Sequence, residues 1–361
     1  MGCSSEKELE KDNNKNTFPK NSNNECGSDP QNIEYLKELT KDSYTSNCCD
    51  NIFTLFTSIN KIPYLVYTNR KYSIIFYNLK EDKIEKEIQK AHGRLEISNF
   101  QYFLDPINLT DLIISVSGVA NNIKIWDLKD YECIVNIEDN IKNGYINSAF
   151  IINDNKKNYI IVDNIGSDQI KVYDFDGDKI NEINDSNEKS FFIDYYFDKK
   201  TAKNYIISGS HGYVKSYDFF ENKLYNKYFD IDNDSNHFSV VINSKNDIIK
   251  LIESSNDGFI RVWNFNSAEL LNKISINNQP LFGICLWNEN YLFAAGEDKN
   301  IKLIDLKNEK IIKEFSGHSK AVSAVKKIKI PKYGECLVSQ GMRDDQIRLW
   351  INKNEKNEKK T

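Results

Sequence analysis

One strand-like segment recurs seven times along this 361-residue chain. It reads Tyr72–Leu79, Ile123–Leu128, Ile170–Phe175, Val214–Phe219, Ile260–Phe265, Ile301–Leu306 and Ile347–Ile351, each alternating apolar and polar side chains. Its anchor position holds Tyr77, Trp126, Tyr173, Tyr217, Trp263, Ile304 and Trp350, at spacings of 49, 47, 44, 46, 41 and 46 residues. A strand-rich unit of that length cannot bury its apolar surface alone, so copies must stack, and a period in the forties is that of propeller blades. The repeat predicts an all-β, seven-bladed β-propeller over residues 31–352, followed by a polar C-terminal tail at 353–361. Residues 1–30 are polar, with almost no apolar periodicity, and read as a disordered N-terminal tail.

Composition agrees and narrows the function. Length alone would suggest two or three domains, but repeat folds override that prior. With 20 Tyr and 20 Phe against 15 Gly and 6 Pro, the chain favours pleated strands. A net charge of -5 leaves no basic footprint for a phosphate backbone, so nucleic acid is a poor first partner. Seven cysteines, odd in number and without a CxxC, suit neither a disulfide framework nor a zinc site and point to a reducing, cytoplasmic setting. No apolar run reaches the roughly 18–20 residues of a membrane span, and no signal-peptide core opens the chain. Phosphate-binding glycine motifs are missing, and Asp174–Asp178 starts like a calcium loop without the remaining ligands, so no cofactor or metal is expected. Lys326, Lys327, Lys329 and Lys332 alternate with Ile328 and Ile330, which predicts a solvated strand face.

Further motifs fall in phase with the repeat. The anchor is followed by Asn78, Asp127, Asp174, Asp218, Asn264 and Asp305, with Ile351 breaking the pattern last. Tight-turn sequences precede it at Ser208–Gly212, Ser255–Gly258 and Gly296–Asp298, while Gly317-His318, Ala91-His92 and Asn236-His237 open three units. Over residues 33–352 these features resemble the WD40-repeat family. The resemblance implies a hydrogen-bonded tetrad of His318, Ser339, Asp344 and Trp350 in the last blade. It also implies a set in blade five with Glu253 in place of the hydroxyl beside His237, Asp257 and Trp263, and one in blade two with Ala120 in place of the Asp beside His92 and Trp126. Propellers of this family close by strand overlap, so Ile33–Lys41 is expected to supply the outer strand of the last blade.

Catalysis needs titratable groups converging in a pocket, yet the four histidines all fall at positions that blade architecture explains. The expectation is a non-enzymatic scaffold for other proteins, with no small-molecule substrate. Its candidate contacts are Arg94, Phe238, Met342 and Arg343, on loops where recognition concentrates. Rival readings are an enzyme or small-ligand propeller using acidic groups in its central channel, and a subunit of a stable trafficking or RNA-processing complex. The N-terminal Met1-Gly2-Cys3-Ser4-Ser5 resembles dually acylated proteins, with Gly2 for myristate and Cys3 for palmitate, although Glu6 stands where the motif wants Ser or Thr. Residues 1–30 carry four Lys against six acids, so Cys3 must supply the second membrane signal. The expected location is cytoplasmic, at the cytosolic face of a membrane.

Overall fold

A computed structural model of the chain describes residues 29–40, 43, 53–139, 144–154, 156–165, 169–184, 190, 192–231, 236–245 and 248–353. Within these, the strands form seven four-stranded antiparallel sheets. The innermost strands are Phe53–Thr57, Asn99–Asp105, Tyr145–Asn153, Phe192–Asp198, His237–Lys245, Leu281–Leu286 and Val322–Ile330, each packed beside those of neighbouring blades. This is the seven-bladed β-propeller expected from the repeat.

The apolar alternation of the third strands explains how the blades stack. Seven hydrophobic clusters form, one in each seam between neighbours. Between blades one and two, for example, Val66, Phe76, Phe100 and Trp126 meet; between seven and one, Phe53, Leu65, Ala324 and Val338 meet. The core is a ring of seams, so the inner strands hide apolar residues on both faces, while outer strands such as Lys83–Ile88 stay largely exposed.

In blades one to six the acid or amide after the anchor ends the third strand. Asn78 Oδ1 accepts from the backbone N–H groups of Lys80 and Glu81, both at 3.0 Å. Asp127, Asp174, Asp218, Asn264 and Asp305 make the same kind of turn onto residues two to four further on. Asx turns of this kind offer the backbone an alternative to the ladder. A bulge between the third and outer strands falls at the anchor in blades one to six, adding local twist.

Ring closure uses both ends of the described chain. Ile33–Thr40 pairs antiparallel with Ile347–Asn352 and becomes the outer strand of blade seven. Ile33 is fully buried against Leu337 and Trp350. Asn352 Nδ2 donates to the Asp29 carbonyl at 2.7 Å, and Lys313 Nζ, from blade six, donates to the carbonyls of Gln31 and Ile33 at 2.7 and 2.9 Å.

Candidate protein-interaction face

Loops entering each blade, and turns between its second and third strands, share one face of the ring, here called the upper face. Beneath it lie the polar sets of the repeat. In blade seven Trp350 Nε1 donates to Ser339 Oγ at 2.8 Å, Ser339 Oγ meets His318 Nε2 at 2.8 Å, and His318 Nδ1 meets Asp344 Oδ2 at 2.8 Å. Since Asp344 accepts, Nδ1 carries the ring proton and Nε2 accepts from the serine hydroxyl, so every buried group is served. Gly341 makes room for the Asp344 carboxylate, which a Cβ there would meet at 2.1 Å.

Blade two keeps the inner half of this chain. Trp126 Nε1 donates to Ser115 Oγ at 2.8 Å, and His92 Nε2 meets the same oxygen at 2.7 Å. With Ala120 in the turn and no carboxylate, burial and the nearby Lys124 push His92 down to about 4, so the ring is neutral.

Blade five is rewired. Glu253 takes His237 Nδ1 at 2.5 Å and leaves the Trp263 indole N–H without an acceptor. Asp257, in the tetrad's acid position, turns to the Arg261 guanidinium and to Ser255 Oγ instead. Arg261 is wholly buried and also reaches Asp230 at 3.0 Å, which Lys273 approaches at 2.6 Å. Against the upward push of burial, the Arg261 hydrogen bonds hold Asp257 below the usual carboxylate range.

The anchors Trp126, Tyr173, Tyr217, Trp263, Ile304 and Trp350 are all buried, whereas Tyr77 is half-buried and donates to Asp82 at 2.6 Å. Two residues before the anchor, six blades carry a cation whose role sequence reasoning missed. Lys124 Nζ donates to the Ala91 carbonyl at 2.8 Å, Lys171 pairs with Asp139 at 2.6 Å, Arg261 reaches Asp230, Lys302 pairs with Asp298, and Arg348 donates to Gln346 Oε1 at 2.7 Å. Lys215 lies 4.8 Å from the centre of the Tyr213 ring. These cations brace upper-face loops and turns from below. The recurring Lys or Arg was visible in the repeat, but its direction was not.

The four contact candidates lie on this face without forming one cluster. Arg94 and Arg343 are exposed, and Arg343 has a left-handed backbone (φ 56). Met342 is half-buried, its N–H bonded to the Ala321 carbonyl at 2.6 Å. Phe238 belongs to blade five, half-buried with its ring 5.4 Å from that of Phe282. Around the first three the structure adds Arg70, ion-paired with Asp345, and exposed Lys71, Leu95 and Val119. His211 bonds Asn236 Oδ1 at 2.9 Å, tying blade four to the start of blade five.

The lysine run departs from expectation. Its first half, on an innermost strand, is engaged in the blade seams, where Lys326 Nζ donates to the Phe53 carbonyl at 3.0 Å and Lys327 Nζ to the Trp287 carbonyl at 2.6 Å and to Glu335, whereas Lys329 and Lys332 are exposed. Among the described residues no His, Cys, Asp and Glu side chains group as a metal site, and no helix is long and apolar enough to cross a membrane. Gly2 and Cys3 lie outside the described residues.

Seven radial blades, strand-overlap closure and a His–Ser–Asp–Trp chain under the upper face define a WD-type propeller. The chain is similar to WD40-repeat proteins. The family model "WD domain, G-beta repeat" matches residues 309–350. The chain is similar to the human WD repeat-containing protein 36, 27% identical over 99 residues. It is also similar to the U3 small nucleolar RNA-associated protein 21 homolog of Schizosaccharomyces pombe (strain 972 / ATCC 24843), 26% identical over 100 residues. These matches cover 27% and 28% of this chain and 11% of each relative's length.

Proposed function

We propose that this chain is a non-enzymatic scaffold that docks proteins on its upper face over blades seven, one and two, tethered to the cytosolic side of a membrane through acylated Gly2 and Cys3. The observation that carries the docking reading is the contrast between two sets of side chains. The histidines of blades two, five and seven are buried and engaged within their blades. Arg70, Arg94, Arg343, Leu95 and Val119 stand exposed above them, Val119 at 71%. Arginine beside apolar surface is the composition of binding hot spots.

Affinity purification of the full chain from its native cell, against Arg94→Glu and Val119→Asp, tests this. The reading expects partners lost from both variants with the fold retained. Partners that stay bound to both would move the docking site elsewhere. A second reading, membership of an RNA-processing complex, draws on the similarity to the U3 small nucleolar RNA-associated protein 21 homolog. It expects co-purification at fixed stoichiometry with RNA in the assembly.

A further inference from the structure

Two opposite charges stand on the wall of the axial channel without neutralising one another. Asp194 lies on the innermost strand of blade four and Lys326 on that of blade seven. Two blades separate them one way round the ring and three the other, so the field each exerts on the other crosses the channel. Asp194 Oδ1 accepts its neighbour's N–H, from Tyr195, at 2.8 Å. Lys326 Nζ donates to the Phe53 carbonyl at 3.0 Å and lies 5.2 Å from the centre of the Phe53 ring. That carbonyl uses one of three ammonium donors. Among the described residues no ion pair joins either group to a partner, in contrast to Lys171, Lys302 and Lys327, each set against a carboxylate.

Both groups are half-buried, within reach of solvent in the channel. Tyr195 is 43% exposed despite its place on an innermost strand, with its ring stacked on Phe150 at 5.5 Å. It gives the wall an aromatic surface beside Asp194. Burial pushes Asp194 up to about 6 and Lys326 down to about 8, the direction expected of charges whose lost hydration is not replaced by a close counter-ion. A ligand of the right polarity would restore both. A simple anion would be drawn to Lys326 and repelled by Asp194, and a simple cation the reverse. A dipolar molecule satisfies the two ends together, and its apolar middle fits a tyrosine face.

We propose that the axial channel binds a small zwitterionic amino carboxylate, its carboxylate on Lys326 and its ammonium on Asp194. This site is separate from the upper-face docking surface and stands or falls without it. The test is calorimetric titration of the full chain at pH 7 with straight-chain ω-amino acids, from glycine to 6-aminohexanoate. One chain length should bind best. Asp194→Asn and Lys326→Met should each weaken it at least about tenfold, while Lys326→Arg retains binding. The amide of the best ligand, which lacks the negative end, should fail on the unaltered protein, so the outcome does not depend on a variant folding. Absence of binding at every length would overturn the proposal, as would affinity that survives both neutralising variants. Inorganic phosphate bound as tightly, and unaffected by Asp194→Asn, would show an anion site instead and overturn it too.

Discussion

Glu253 stands where the hydroxyl of the repeat belongs and accepts from His237 at 2.5 Å, leaving Trp263 as a blade anchor whose indole N–H has no acceptor. The same carboxylate lies 3.7 Å from the wholly buried Arg261 guanidinium. Blade five therefore exchanges the hydroxyl-centred chain of blade seven for a set of acids gathered round His237 and Arg261. Removing one member of such a set strands its partners, which costs about 3–5 kcal/mol in buried pairs. Glu253→Ala should lose stability on that scale. Glu253→Ser, which supplies an acceptor for Trp263 but no charge for Arg261, should recover only part of it. Urea unfolding of the two variants checks the order.

Blade seven offers the intact comparison. Trp350→Ala removes a buried indole from the seam with blade six and should cost about 3–5 kcal/mol. His318→Ala should cost less, about 1–3 kcal/mol, because it takes one hydrogen-bond partner each from Asp344 and Ser339 but leaves little volume empty. Combining Ser339→Ala with His318→Ala should be less than additive by about 0.5–3 kcal/mol, as the two share a hydrogen bond. Additive losses would show that the chain of bonds is not acting as a unit.

Much of this was legible in the sequence, and the misses share a cause. Period, blade number, closing strand and tetrad positions depend on residue type and spacing, which a sequence displays. The Asp or Asn of six repeats is visible as a motif, yet its work as an Asx turn appears only with the backbone around it. Lys326 was misread because strand alternation normally sorts one face to water. On an innermost propeller strand both faces meet neighbours or the channel, so a polar residue there is bonded or channel-facing. Arg261 lies within the repeated segment Ile260–Phe265, but its consequence is hidden in the sequence because its partners Asp230 and Asp257 lie on separate loops.

A pH dependence follows from Asp163, a buried carboxyl in blade three with no hydrogen-bond partner for Oδ2. Burial pushes it up to about 7, well above the ordinary range of an aspartate, against hydrogen bonds from Ser190 and Asn147. The folded state thus holds this proton more tightly than the unfolded chain. Its contribution favours folding at low pH and is lost as pH rises from about 4 through about 7, a swing of up to about 4 kcal/mol. His92, pushed down to about 4 by burial, acts oppositely, since protonating it on acidification opposes the fold. The clean observable is therefore a difference: Asp163→Asn should be more stable than the parent at pH 8, and the gap should shrink towards pH 5. A gap independent of pH would mean that the carboxyl does not titrate in this range.

Closure predicts where the ring opens first. Ile33 is fully buried, and Lys313 of blade six ties its carbonyl across the seam. Ile33→Asp places an unpaired charge among Leu337 and Trp350 and should destabilise by several kcal/mol, about the scale for a buried unpaired polar group. Deleting residues 29–40 should in addition expose the edge of Ile347–Asn352 and promote association, since unpaired strand edges template further pairing. Light scattering during thermal unfolding separates the two effects. A deletion variant that melts like the parent and stays monodisperse would remove this segment from the closing role.

Membrane tethering rests on the first residues alone. A single myristoyl chain binds membranes weakly and reversibly, so stable attachment needs a second signal. Four lysines against six acids in residues 1–30 supply no polybasic patch, so the proposed tether needs Cys3 as its second signal. Two variants should then behave differently on cell fractionation. Gly2→Ala should move the protein wholly to the soluble fraction, because it removes the first chain and the membrane encounter on which the second depends. Cys3→Ser should leave it divided between fractions, held only by the reversible chain. Metabolic labelling with alkynyl myristate and palmitate reads the two acylations directly. A parent protein that is entirely soluble and takes up neither label would sink the tether while leaving the propeller and its docking face untouched.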